Sequence, residues 1–314
     1  MDYFELILGL IILLIGGELI VKGAVLTANK FRMSPMVIGL TIVSFGTSAP
    51  ELLVSIKAAT DGNPDIAIGN VIGSNIANLA LVLGITVLFI PIVIDRSKIK
   101  FNWLVMMVAT IVFYLFSMNG WIEQWEGALL FASLIIFIYV LIRTSDPSNS
   151  SEIIEDLNIR HKSNPLLFLM YLILGMLGLY FGAELLVNGA VSIAQKMGVS
   201  EAIIGVTIVA LGTSAPELTA SIVAAYRKES GISVGNLIGS NIFNIMAVVG
   251  ITGMIKPVSV ASKMMSFDMY WLIGISLLIV PILFLSSKVG RIKGSFLLII
   301  YFSYIFLVLN GGHL

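Results

Sequence analysis

Apolar residues run along this chain almost without interruption, broken at intervals by short polar clusters. A helix needs about 20 such residues to cross the hydrocarbon of a bilayer. On that measure the pattern predicts ten segments, at 4–28, 35–60, 66–90, 100–118, 124–143, 165–194, 201–226, 232–255, 266–285 and 292–311. The longest polar interval is 144–164, TSDPSNSSEIIEDLNIRHKSN, with Pro147 near its start and Pro165 just past its end. It is too short for a regulatory domain and reads as a solvated hinge between residues 1–143 and 165–314.

Composition agrees with a polytopic membrane protein. The mean hydropathy is +1.03 and only 11% of residues are charged, where a soluble domain carries roughly a quarter. Apolar runs recur to the last residues, so neither a signal peptide nor one anchor on a soluble domain accounts for them. Eighteen Lys and Arg balance eighteen Asp and Glu, leaving no basic surface for nucleic acid. Cysteine is absent, which excludes disulfides, thiolate metal sites and cysteine nucleophiles.

Basic residues set the expected orientation, because cytoplasmic connections are rich in them. With both termini outside, the cytoplasmic side holds Lys30, Arg32, Arg96, Lys98, Lys100, Arg143, Arg160, Lys162, Arg227, Lys228, Lys288, Arg291 and Lys293. The outside holds Lys57, Lys196, Lys256 and Lys263, a bias of 13 against 4. The expected arrangement is therefore a multi-pass protein of the cell (plasma or inner) membrane with its 144–164 linker in the cytoplasm.

The chain also repeats itself. A shift of 166 residues aligns Gly16–Pro91 with Gly182–Pro257 without a gap. GTSAPEL at Gly46–Leu52 returns at Gly212–Leu218, and GNVIGSNIAN at Gly69–Asn78 returns as GNLIGSNIFN at Gly235–Asn244. Equivalent points are five spans apart, an odd number, so the second copy enters the membrane from the opposite side. The predicted fold is all-α, with ten transmembrane helices in two inverted five-helix repeats. Inverted repeats that meet near the midplane are a recurrent plan of secondary transporters.

The repeated motif is a helix break carrying an acid. Pro50 has no N–H and leaves the Gly46 carbonyl without its helical donor, and Pro216 does the same to Gly212. Such freed groups are costly in hydrocarbon unless something satisfies them. Glu51 and Glu217 follow the prolines, each costing about 3 kcal/mol at mid-membrane on insertion scales. Intramembrane carboxylates are functional by default, and two of them near a symmetry axis repel unless a cation or protons intervene. Thr47, Ser48, Thr213 and Ser214 add oxygens suited to hard cations. Asn70, Ser74 and Asn78 form one helical stripe, repeated as Asn236, Ser240 and Asn244. Glu18 has Lys22 one turn away, whereas Glu184 has Asn188 in that place; neither receives a ligand role.

GTSAPE followed by GNVIGSN, twice and inverted, resembles the calcium/cation antiporter superfamily, above all its prokaryotic sodium/calcium exchanger branch. The resemblance implies that Glu51 and Glu217 are shared ligands of Ca²⁺ and Na⁺, with the Thr47 and Thr213 carbonyls completing the calcium site. It implies one sodium site at Ser48, Ser74 and the Ser44 carbonyl, another at Ser214, Ser240 and the Ala210 carbonyl, and Asn78 and Asn244 at the centre. The first and sixth spans would slide as a gate. The potassium-dependent branch carries aspartate where this chain has Asn244, so the central site keeps two carboxylates and potassium co-transport is not expected.

The expected activity is exchange of Ca²⁺ for Na⁺ by alternating access, with H⁺-coupled Ca²⁺ exchange as the alternative. The expected partners are inorganic cations (Ca²⁺, Na⁺ or H⁺) and the lipid bilayer; no cofactor is expected and a monomer suffices. An enzyme is not expected: the only histidines, His161 and His313, lie in the linker and at the C-terminus, away from the serines they would have to activate.

Overall fold

The computed structural model describes residues 2–93, 95–145, 165–198, 210–284 and 288–310. Most of the 144–164 linker, the first half of the seventh span and both histidines fall outside these residues. Helix dominates, as an apolar solvent demands: a backbone without water must satisfy its own hydrogen bonds. We number the spans α1 (Asp2–Phe31), α2 (Pro35–Thr60), α3 (Pro64–Phe89), α4 (Arg96–Ser117), α5 (Gln124–Arg143), α6 (Pro165–Lys196), α7 (Ala210–Thr213 and Ala215–Tyr226), α8 (Ser230–Ile255), α9 (Met264–Asp268 continuing as Met269–Phe284) and α10 (Arg291–Leu309). Among the described residues, nine of these helices are long and apolar enough to cross a membrane; only the described part of α7 is too short.

Local sequence accounts for the helix ends. α2 starts at Pro35 behind Ser34, whose side chain accepts the Val37 N–H, and α3 starts at Pro64. Proline costs nothing in a first turn, where the N–H would be unsatisfied anyway. α5 opens with a reciprocal capping box between Glu123 and Glu126.

Two short antiparallel ribbons join the connections. β1 (Ile92–Val93), after α3, pairs with β4 (Lys288–Val289), after α9. β2 (Trp121–Ile122), after α4, pairs with β3 (Val258–Ser259), after α8. The 166-residue shift carries β1 onto β3. One ribbon therefore takes the place of the other when the halves are exchanged, one joining odd-numbered connections and the other even-numbered ones. The same parity governs other links. Lys256 Nζ donates to the Ala59 carbonyl at 3.1 Å and Lys196 pairs with Asp2 on the even face, while the Ser34 N–H donates to Ser145 Oγ at 3.3 Å on the odd face.

The helices form an enclosed centre with a peripheral pair. In α3 and α8, 83% of the most apolar window is buried, against 33% in α1 and α5 and 22% in α6 and α10; α1 and α6 form the peripheral pair. α1 and α6 lie against each other through glycines. A methyl group built on Gly16 would sit 2.6 Å from the Leu179 nitrogen, and one on Gly182 2.6 Å from the Leu13 nitrogen. Small residues allow such backbone approach where no hydrophobic effect holds helices together. The outer faces of the pair, including Tyr3, Phe4, Leu166 and Phe181, are exposed apolar surface suited to lipid.

Candidate ion site

α2, α3, α7 and α8 bring the two copies of the motif together. The helix interruption takes a different form in each copy. In α7 the chain turns at Ser214, and Pro216 stands in the first turn of Ala215–Tyr226, as the sequence suggests. In α2 the helix passes through Pro50, and the irregularity lies before the motif as a π-turn over Gly39–Val43. Wider turns of this kind occur often at functional sites because they release carbonyls from the regular ladder. Ser44 Oγ donates to the Gly39 carbonyl at 2.7 Å. Further π-turns over Ala77–Val82 and Asn244–Val249 follow the polar stripes of α3 and α8.

Both glutamates are enclosed, Glu51 at 1% exposure and Glu217 at 0%, and Glu51 lies within electrostatic reach of Glu217. Each carboxylate-bearing turn is held by the same device. Asn70 Nδ2 donates to the Glu51 carbonyl at 3.2 Å and to Ser55 Oγ at 3.0 Å. Asn236 Nδ2 donates to the Glu217 carbonyl at 3.3 Å and to Ser221 Oγ at 3.1 Å. Ser55 and Ser221 were not singled out from the sequence. The signal was present, since each stands four residues after its glutamate in both copies.

The halves are also joined directly. Thr47 Oγ1 donates to Asn236 Oδ1 at 3.1 Å and lies 3.3 Å from Ser240 Oγ. Ser48 Oγ donates to Glu217 Oε1 at 3.3 Å, and Ser44 Oγ lies 3.1 Å from the Asn236 carbonyl. Close backbones make these bonds possible: a methyl on Gly39 would meet the Ile232 carbonyl oxygen at 2.6 Å, and one on Gly235 the Met36 carbonyl oxygen at 2.6 Å. The residues that Gly69 and Gly73 would face by symmetry lie within 199–209, outside the described set.

Of the sequence-selected residues, Ser44, Thr47, Ser48, Glu51, Ser74, Asn78, Ser214, Glu217, Ser240 and Asn244 are all buried side chains. Thr213 is half-buried, and Ala210 begins the short helical piece that precedes Ser214. Several of their polar atoms have no hydrogen-bond partner among the described residues: both oxygens of Glu51, Glu217 Oε2, Ser214 Oγ and the side-chain amides of Asn78 and Asn244. Buried polar groups are nearly always paired. Unpaired oxygens concentrated around two carboxylates could hold a hard cation, whose ligands are oxygens. Asn75 and Asn241, also missed from the sequence, are buried beside the stripes with an unpaired Oδ1 each.

Glu18 finds a partner that the sequence did not reveal. Besides Lys22 at 3.2 Å, it receives two bonds from Arg227 at the end of α7, one of them from Nε at 3.2 Å.

Comparison with known proteins agrees with this architecture. The family model described as "Sodium/calcium exchanger protein" matches residues 3–143 and 167–310. The sodium/calcium exchanger MaX1 of Methanosarcina acetivorans is 30% identical, over 97% of each chain. The inner membrane protein YrbG of Escherichia coli is 31% identical, over 80% of this chain and 79% of its own. A solved structure of the sodium-calcium exchanger NCX_Mj, soaked without Na⁺ and Ca²⁺, superposes with a TM-score of 0.83 at 34% identity, over 98% of each chain. A second, soaked with both ions, gives a TM-score of 0.82 at 34% identity, over 97% of each. With a family model spanning both halves and full-length relatives of the same architecture, this chain belongs to the sodium/calcium exchanger protein family.

Proposed function

We propose that this antiporter exchanges Ca²⁺ for Na⁺ by alternating access, at one midplane site shared by Glu51 and Glu217. The observation that carries the proposal is the enclosure of two carboxylates from oppositely oriented halves, 1% and 0% exposed, among oxygens that the protein leaves unpaired. A divalent cation balances two carboxylates; sodium ions balance them separately. Competition for the same pair is then the coupling. Loaded with either ion the site is neutralised and can switch sides, whereas two bare carboxylates in a low-dielectric interior resist the change.

The remaining ligands follow the family pattern at this chain's positions: the Thr47 and Thr213 carbonyls for calcium, and Ser48, Ser74 and the Ser44 carbonyl for one sodium ion. Ser214, Ser240 and the Ala210 carbonyl would serve another, with Asn78 and Asn244 at the centre. Residues 1–143 and 165–314 act as the two inverted repeats. Both termini lie outside the cell membrane and the odd face, with the 144–164 linker, lies in the cytoplasm.

The test is Ca²⁺ uptake into proteoliposomes under a Na⁺ gradient and, separately, under a pH gradient in sodium-free medium. Uptake driven by Na⁺ alone, and lost in Glu51→Gln and Glu217→Gln, supports the proposal. Uptake driven only by the pH gradient reassigns the counter-ion to H⁺, and wild-type exchange in both variants rejects the site.

A further inference from the structure

The polar stripe of α8 does not stop at the ion site. Toward the odd face, Asn244, Ser240 and Asn236 are followed by Ser233 and Glu229, at steps that keep all five on one side of the helix. All five are buried, Glu229 at 6% exposure and the other four at 0%. Hydrogen bonds tie the row to α7: Ser233 Oγ donates to the Ser221 carbonyl at 2.9 Å, and Asn236 Nδ2 reaches Ser221 Oγ and the Glu217 carbonyl. Simple helix packing is served better by small apolar side chains, since every buried polar group must be satisfied at a cost.

Where the row ends there is a cavity of about 220 Å³, lined by Ser34, Asp95, Lys228, Glu229, Ser230 and Gly231 among others. Asp95 and Lys228 are its other charged residues, and Asp95 is engaged in an interaction of its own. Glu229 lines the cavity, and its carboxylate has no hydrogen-bond or ion-pair partner among the described residues. Burial alone pushes it up to about 7. Such a group has a strong demand for a cation. The first copy offers nothing similar, for Asn63 and Ala67 stand in the places of Glu229 and Ser233.

We propose that this cavity is the mouth by which the transported cation reaches Glu217 from the odd face, with Glu229 drawing it in and Ser233 and Asn236 lining its way. The row is closed in this conformation and opens when the site turns to that face. This inference rests on the exchange activity proposed above, so its test uses Ca²⁺ self-exchange, which needs neither Na⁺ nor a proton gradient.

Radioactive Ca²⁺ exchange is measured in proteoliposomes while Ca²⁺ is varied on one face and held saturating on the other. Glu229→Gln should raise the KM on the odd face about tenfold, the lower end of the range for a charge that concentrates ions at an entrance. The KM on the even face should not change, and Glu229→Asp should recover most of the difference. In the cysteine-free background, Ser230→Cys places one thiol in the cavity wall. A membrane-impermeant cationic thiol reagent on the odd face should then stop exchange while leaving the wild type untouched. Equal KM values in wild type and Glu229→Gln, together with full activity of the modified Ser230→Cys protein, overturn the mouth but leave the exchanger intact. Absence of Ca²⁺ exchange in the wild type itself would remove the exchange reading, and this one with it.

Discussion

The Ser48 hydroxyl of the first motif donates to the Glu217 carboxylate of the second, at 3.3 Å and 169 residues apart in the chain. Among the described residues its counterpart Ser214 has an unpaired hydroxyl, and Glu51 has two unpaired oxygens. One half therefore holds the other's acid, and the reverse bond is not made. A hydrogen bond to a charged group contributes about 1.5–3 kcal/mol. Ser48→Ala should leave Glu217 less well positioned and weaken Ca²⁺ binding about tenfold, a loss of about 1.4 kcal/mol. Ser214→Ala should act on the ion alone and alter thermal stability by less. Ca²⁺ titration and unfolding of both purified variants distinguish the two roles.

Glu51→Gln and Glu217→Gln should each abolish exchange while keeping the fold. Amide and carboxylate have the same shape, but the amide lacks the charge that compensates a dehydrated cation. Because burying an unpaired carboxylate is itself costly, both variants should unfold at equal or higher temperature than the ion-free wild type. A lower unfolding temperature in both would mean that the acids hold the structure together and would count against an ion site.

Asn236 forms bonds to the Glu217 carbonyl, Ser221 and Thr47, whereas among the described residues Asn70 bonds to the Glu51 carbonyl and Ser55. Truncation of a buried hydrogen-bonding group costs about 1–3 kcal/mol, more when more partners are orphaned. Asn236→Ala should therefore destabilise the protein by about 1 kcal/mol more than Asn70→Ala. Thermal unfolding in detergent compares the two.

Glu229 has its pKa raised by burial to about 7 from an ordinary 4.5. A raised pKa means that the folded state holds the proton more tightly than the unfolded chain does. The resulting stability is fully present below about pH 4.5 and is lost as pH climbs through about 7. The unfolding temperature should fall across that window, and Glu229→Gln should flatten the slope. An unchanged slope in the variant would assign the pH dependence to other groups.

Arg227 ties the end of α7 to Glu18 in α1. The 166-residue shift maps Arg227 onto Asp61 and Glu18 onto Glu184, two acids that cannot form the equivalent pair. The tie thus exists on one side of the pseudo-symmetry only, and it favours the conformation described here. Its partners are partly exposed, so its contribution is small, about 0.5 kcal/mol. Arg227→Gln should shift the ratio of Ca²⁺ KM values at the two faces about twofold, and Asp61→Asn should not. One-sided exchange assays read that ratio directly.

Much of this molecule could be read before any coordinates. The span count follows from apolar runs against bilayer thickness, and the inversion from an odd number of spans between identical heptapeptides. The buried carboxylates follow from the cost of placing acids at Glu51 and Glu217 in the membrane. Each depends on local composition and one strong external constraint, the hydrocarbon slab, so the chain alone suffices. The partners across helices were not legible in this way. That Ser48 meets Glu217, that Arg227 meets Glu18, and that Glu229 ends a buried row at a cavity depend on crossing angles and depth of packing, which many equally apolar helix faces would permit. Nor did two nearly identical motifs predict that the helix passes through Pro50 in α2 but is interrupted at Ser214 in α7. A repeat specifies the same chemistry twice, but in one conformation its halves face different neighbours, and only the packed structure decides which oxygens are paired and which are left for an ion.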